Sequence, residues 1–456
     1  MQDDKALFSL CQSLDSFIGT FQNLFRSGNH NVFKQAGHYI KGLFQADKRN
    51  MERMAEVVPD SDDQALQNFL THSSWVARPV MDRAALAVDQ CFEGAEGIAL
   101  IIDESGFAKS GKHSVGVARQ WNGRLGKVDN CQVGVFGALG KGDRVALIDA
   151  RLYLPHAWTD DAERCEKADV PRDCRSYRTK PELALEIVRH ARSLGVRFDW
   201  VGFDGLYGNA PHLLRALDAD GERFMADVHK DQQIYVDDPQ PYLPERKQGK
   251  GRSATRYQSQ AQAIQVQAWA SQQPESAWQR LTLRDACRGS LTIEVLHQRV
   301  WLWEAGSDTA YQWHLLVRRE LDSPNEIKYS LSNAPAQTTV STLAHQQAQR
   351  YWIERAFQDH KSHIGLAHYQ ARKWQSWHRH MALAMIAGLF MLQQRMTHEE
   401  SYPLLSCYDI QILLAKSLPN KQTDFAVLLA QVKERHRRRL SAIRSASKKN
   451  ETVQNE

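Results

Sequence analysis

The sequence predicts an α/β fold: a mixed sheet flanked by helices, with a helical region before it and a β-rich insertion. Three observations carry this. Two largely apolar runs, Gly97 to Ile102 and Phe198 to Phe203, each end in an aspartate, Asp103 and Asp204, as strands buried on both faces do. Between them Val115, Val117, Val133, Val135 and the run from Val145 to Leu154 alternate with small or polar residues, the period of a meander. Thr179-Lys180-Pro181-Glu182 then reads as a capping box with an early proline, opening a helix over Ala184 to Leu194 that Gly195 closes. Strands followed by helix, strand, helix and strand make an α/β layer.

Residues 1–90 read as helical and form the first expected unit. Phe17, Phe21 and Phe25 recur at helical spacing, and Gly42 to Val57 mixes charge with Leu and Met in the same way. Pro59 to Asp63 is a turn, and Ser61-Asp62-Asp63-Gln64 can cap a helix over Asp63 to Leu70. Residues 91–229 hold the first part of the sheet, closing with a helix over Ala210 to Leu217 and a strand over Arg223 to Val228. Residues 230–344 form the β-rich insertion, with strands over Leu291 to Trp303 and Tyr311 to Val317 and a flexible loop, Gln248 to Ser253. Residues 345–400 return to helix, and residues 401–456 form a helical region with a basic tail.

Composition excludes several classes. Apolar residues make up 42% and charged residues 24% of 456, so the chain is not disordered as a whole. The longest apolar run, Met381 to Leu392, is too short to span a bilayer and suits a buried helix. The acidic N-terminus lacks the pattern of a secretory signal, so a cytoplasmic protein is expected. Seven scattered cysteines without a CxxC pair argue against a disulfide framework and a cysteine zinc site. The net charge is +5, and residues 433–456, with eight Lys or Arg against three Glu, account for all of it. Arg437, Arg438 and Arg439 lie at the centre of that tail, which points to a polyanion, nucleic acid first.

The candidate chemistry lies at the two strand ends. Adjacent parallel strands would bring Asp103 and Asp204 together, where like charges repel unless a cation joins them, and Mg²⁺ is the natural partner. Arg350, Glu354 and Lys361 fall on one helical face, since Arg350 and Lys361 lie within about 40° of Glu354. Glu354 can complete a metal site, and the two cations can hold phosphates. Gly106 to His113 nearly spells a phosphate-binding loop, but His113 replaces the metal-binding hydroxyl and a strand pattern follows. Lys109 and Lys112 remain candidate DNA contacts. His360, His363, His368, His378 and His380 read as helix-surface or DNA-facing histidines rather than a zinc site. Trp301, Trp303 and Trp313 read as cross-strand packing, with stacking on an unpaired base as the other reading.

Asp103, Asp204 and Glu354, in that order and with the glutamate on a helix after the insertion, resemble the DDE transposases of bacterial insertion sequences. The strings Asp103 to Gln120, Gly123 to Gln132 and Trp352 to Lys361, with Gly365-Leu366 and Trp374 to His380, resemble the insertion-sequence seven-oh-one branch, close to the insertion-sequence four group. The resemblance runs from about Gly42 to Phe390. The wider group carries Tyr, two residues, Arg, three residues, Glu, six residues, Lys. Arg350, Glu354 and Lys361 keep that spacing, but Gln347 stands at the Tyr position.

The resemblance implies an RNase H-like sheet and cut-and-paste chemistry on double-stranded DNA, at terminal inverted repeats and at a target. It implies two Mg²⁺ ions, replaceable by Mn²⁺, about 3.5–4 Å apart on the three carboxylates. It also implies a homodimer on DNA, associated with the nucleoid. The competing readings are a non-catalytic DNA-binding protein and a metal-dependent nuclease that retains the fold.

Overall fold

The computed structural model describes residues 2–245, 254–286, 289–321 and 323–454. The Gln248 to Ser253 loop and Cys287 lie outside the described residues.

Five helices precede the sheet: α1 (Gln2–Gly19), α2 (Phe33–Gln45), α3 (Met51–Val57), α4 (Asp63–Thr71) and α5 (Ala77–Cys91). The helix expected to carry all three phenylalanines stops at Gly19. Phe21 and Phe25 instead flank a 3-10 turn, Gln22–Leu24, yet both are buried. The expected Gly42 to Val57 helix is two helices, because the Asn50 side chain accepts the Arg53 amide and starts α3 afresh. Asp62, not Ser61, caps α4, through the Ala65 amide at 2.8 Å.

The main sheet has ten strands. They are β1 (Ala99–Ala108), β2 (Ala118–Asn122), β3 (Lys127–Lys141), β4 (Arg144–Leu152), β5 (Trp200–Phe203), β6 (Phe224–Val228), β7 (Gln279–Ala286), β8 (Gly289–Trp303), β9 (Ala310–Glu320) and β10 (Ser323–Ser332). Their order is β7-β8-β9-β10-β6-β5-β1-β3-β2, with β4 also on β3. Among the described residues, only β1–β5 and β5–β6 are parallel. The sheet flanked by helices is the mixed α/β architecture of an RNase H-like domain. Val115 and Val117 are buried but precede β2 in a turn rather than forming a strand. β1 does not end at Asp103: β3 pairs with it from Ala99 to Ala108, whereas β5 pairs only as far as Ile102.

The helices α6 (Lys180–Ser193) and α7 (Pro211–Ala219) join the parallel strands. Thr179 and Glu182 close the capping box reciprocally, and Gly195 takes φ +83° beyond the helix end. The β-rich insertion extends the core sheet, because β10 pairs antiparallel with β6 through Ser330 opposite Asp227. A smaller apolar cluster, including Ile234, Val266, Leu296 and Leu315, lies against those strands.

Beyond the insertion run α8 (Val340–Gln349), α9 (Tyr351–His363), α10 (Trp374–Thr397), α11 (Cys407–Ser417) and α12 (Phe425–Gln454). Every residue from Met381 to Leu392 on α10 is buried, as a central helix requires. One continuous core joins it to α1–α5 and the sheet. α12 meets α3 and α4 through ion pairs, Arg435–Glu56 at 2.6 Å and Arg438–Asp63 at 2.5 Å. Among the described residues, no helix is long and apolar enough to cross a membrane.

Candidate active site

The parallel register places the two aspartates. Ile102 pairs with Phe203, so Asp103 within β1 and Asp204 just beyond β5 come next to each other where the parallel pairing ends. Asp204 caps a one-turn helix, Gly205–Gly208, and accepts the Leu206 amide at 3.0 Å. That turn lies on β6 because Gly208 has no side chain: a Cβ there would meet the Asp227 carbonyl oxygen at 1.8 Å. Asp103 accepts the Glu104 amide at 2.7 Å.

Burial raises the Asp103 pKa well above the ordinary carboxylate range, and the charges of Asp204 and Glu104 raise it further, against the pull of Arg350. Burial and then Glu104 raise Asp204 as well, again opposed by Arg350. Glu104 is paired with Lys180 at 2.9 Å, at the start of α6, and its other oxygen is buried without a hydrogen bond of normal geometry. The buried Tyr207 hydroxyl is held protonated by burial and by the charges of Glu104, Asp103 and Asp204.

Arg350 sits at the joint between α8 and α9 rather than inside one helix. Its Nε donates to Asp227 Oδ2 at 3.0 Å, and its Nη1 to Glu354 Oε1 at 3.2 Å. Glu354 is half exposed, with 52% of its side chain accessible, while Arg350 is at 16%. The guanidinium is thus the cation that now faces Asp227 and Glu354 directly and Asp103 and Asp204 at longer range. Lys361, on α9, places its ammonium 5.4 Å from the Phe107 ring of β1.

The structure therefore brings Asp103 and Asp204 together and ties Glu354 to the same region through Arg350. Among the described residues, no three His, Cys, Asp or Glu side chains converge closely enough to hold a metal ion. The donor set nevertheless suits a divalent cation. Asp103, Glu104, Asp204, Asp227 and Glu354 gather around Arg350 and Lys180, and crowded like charges of this kind are relieved by a cation. Glu354 would have to leave Arg350 to complete such a site.

Sequence reasoning missed Glu104, Lys180, Tyr207 and Asp227. Two signals were present: Glu104 directly follows Asp103, and Asp227 is the one charged residue in the apolar strand β6.

The candidate DNA contacts differ in setting. The Lys109 ammonium donates to the Tyr369 carbonyl at 2.9 Å and lies 3.8 Å from that ring, and burial lowers its pKa to about 8. Lys112 is exposed. Arg437 pairs with Glu434, Arg438 pairs with Glu434 and Asp63, and Arg439 is exposed on α12.

The histidines only partly form the surface group expected from sequence: His368 is exposed and His363 half-buried, but the others turn inward. His360 and His380 are buried, the latter between the Tyr39 hydroxyl and the Leu366 carbonyl. His378 turns back on the Trp374 carbonyl. Burial lowers His378 and His380 to about 3, so both are neutral. Their sequence spacing is that of helix α10, whose whole circumference is interior along most of its length. Trp313 is buried edge-on against Phe224 at 5.0 Å, and the Trp303 indole donates to the Ser307 carbonyl.

The profile of the family described as DDE superfamily endonuclease matches residues 23–290. That is more than half of the chain; it contains Asp103 and Asp204 and stops before Glu354. A probable transposase for insertion sequence element IS701, from Microchaete diplosiphon, is 32% identical over 165 residues. The alignment covers 36% of this chain and 40% of that protein, so it spans less than half the length of the relative. With that profile across the strands that set its two part-buried aspartates side by side, the chain belongs to the DDE superfamily endonuclease family.

Proposed function

We propose that this protein is a DNA transposase that cleaves strands at element ends and joins them to target DNA, using Asp103, Asp204 and Glu354. The carrying observation is the pair of part-buried aspartates set side by side where the parallel pairing of β1 and β5 ends, with Glu354 one arginine away. The three carboxylates would hold two Mg²⁺ ions, with Mn²⁺ able to substitute. When bound, the metal pair supplies Lewis acidity to the attacking and leaving oxygens of a phosphodiester.

The chain's own residues prepare that chemistry. Burial of Asp103 and Asp204 raises the free energy of their ionised forms, so they favour a cation over water. Arg350, released from Glu354, is left with free donors for a phosphate oxygen, and Lys361 on the next turns of the helix is the second candidate contact. A water molecule serves as nucleophile for cleavage and a 3′-hydroxyl for joining, so no side chain need become covalently attached to DNA. Element ends and target are duplex DNA, and bringing two ends together calls for a homodimer on DNA. The relative's name, a probable transposase, supports the same reading.

The test is a cleavage and joining assay with the full chain, Mg²⁺ and duplex DNA carrying the ends of the element. The expected result is nicking at the ends followed by insertion into a second duplex. Cutting without joining would favour a metal-dependent nuclease, and binding without cutting a non-catalytic DNA-binding protein.

A further inference from the structure

Arg350 is not held by Glu354 alone. Its Nε donates to Asp227 Oδ2 at 3.0 Å, and the other oxygen of Asp227 accepts from Ser330 Oγ at 2.6 Å. Ser330 Oγ in turn accepts from Gln347 Nε2 at 2.6 Å. Ser330 is fully buried and Gln347 is 4% exposed. The relay has three separate anchors: Asp227 on β6, Ser330 opposite it on β10, and Gln347 one turn before Arg350 on α8. Each member uses a complementary role. The carboxylate accepts twice, the hydroxyl donates once and accepts once, and the amide donates.

The two links of Arg350 differ in kind. Asp227 is largely buried, with 17% of its side chain accessible, and is fixed from its far side by Ser330. Glu354 is 52% accessible and has no comparable anchor beyond Arg350 among its described bonds. A charge-assisted bond to an immobilised, buried carboxylate outlasts one to an exposed side chain that is free to rotate. The exposed link is therefore the one that opens.

We propose that Asp227 is a positioning residue of the active site: with Ser330 and Gln347 it forms a fixed arm that keeps the Arg350 guanidinium beside Asp103 and Asp204 when Glu354 moves away. Gln347, which occupies the position of the tyrosine in the wider group, is on this account the outer anchor of the arm. The arm aims Arg350 at the scissile phosphate, so it acts on the rate of cleavage rather than on capture of DNA. The inference rests on the transposase reading for its consequence, but not for the existence of the arm.

Two double-mutant cycles on the full chain test it, with Asp227→Asn and Arg350→Met as the single variants. The first cycle reads thermal midpoints without DNA or metal and needs no activity. The second reads single-turnover cleavage at saturating DNA and Mg²⁺. Strong coupling is expected in both. Asp227→Asn should slow cleavage roughly 10- to 100-fold with DNA affinity unchanged within about twofold, and should cost nothing further once Arg350 is gone. Arg350→Lys should not rescue, because an ammonium lacks the planar fork that lets one guanidinium hold Asp227 and still donate to a phosphate oxygen. Ser330→Ala, which keeps every charge, should give a smaller loss of the same kind if Asp227→Asn folds poorly.

Additive midpoints would show that Asp227 does not hold Arg350 and would overturn the arm. Coupled midpoints with additive cleavage losses, or a cleavage rate unchanged by Asp227→Asn, would overturn its role in the reaction. A wild-type chain that cuts no end-bearing duplex in Mg²⁺ would overturn the transposase reading and the role given to Arg350, while the first cycle would still decide the arm.

Discussion

At the scale of single residues, the site trades stability for chemistry. Asp103 and Asp204 have carboxyl pKa values raised by burial and by neighbouring acids. Such groups bind their protons more tightly in the folded chain than in the unfolded one. Their contribution to stability is therefore greatest below the ordinary carboxylate range near 4, and falls as pH rises toward the raised values. Asp103→Asn and Asp204→Asn should accordingly melt higher than wild type in chelator at pH 8, and the gap should close toward pH 4. A lower midpoint at pH 8 would mean that the aspartates are satisfied without a cation. The same substitutions should reduce Mg²⁺-dependent cleavage by about 10³-fold or more, roughly 4 kcal/mol of barrier, and leave duplex binding largely intact. The positions of the two aspartates were legible in the sequence because each follows an apolar run. The link from Arg350 to Asp227 was not, because it joins residues 123 positions apart on different elements.

At the scale of elements, local signals and long-range pairing divide the fold. The capping box at Thr179 and Glu182 and the glycine after α6 are short-range chemistry, and both stand where the sequence puts them. The length of β1 is long-range: only its pairing with β3 carries it past Asp103. Burial likewise overrides helical spacing at Phe21 and Phe25, which reach the core from outside a helix. Close approach between elements is equally invisible to periodicity. Gly208 brings the turn after Asp204 onto the Asp227 carbonyl, with 1.8 Å left for any Cβ. Gly208→Ala should therefore push the turn off β6 and destabilise the chain by roughly 1–3 kcal/mol, measured by urea unfolding. It should slow cleavage as well, because the displaced turn carries Asp204. A fully stable Gly208→Ala variant would mean that the turn yields freely and that its contact with β6 does not position the site.

At the scale of the whole molecule, the charge excess is concentrated on one helix. α12 carries the basic tail, and it is anchored to α3 and α4 by Arg435 and Arg438. The sequence located this charge but not its docking, since the partners Glu56 and Asp63 lie more than 370 residues away. Arg437, Arg439 and Arg444 are exposed on the same helix. Among the described residues Arg437 pairs with Glu434, in an exposed surface contact that phosphates can replace. If α12 lies on DNA, each phosphate that one of these cations neutralises releases condensed counterions and steepens the salt dependence by about 0.9 in log K against log salt. Replacing Arg437, Arg439 and Arg444 together with Gln keeps helix propensity and leaves the Arg435 and Arg438 anchors in place. The triple variant should flatten the slope for duplex binding between 50 and 200 mM salt by about 3, with the thermal midpoint unchanged. A slope equal to wild type would place the tail off the DNA and leave the phosphate contacts to other cations, Arg350 and Lys361 near the active site and the exposed Lys112 first.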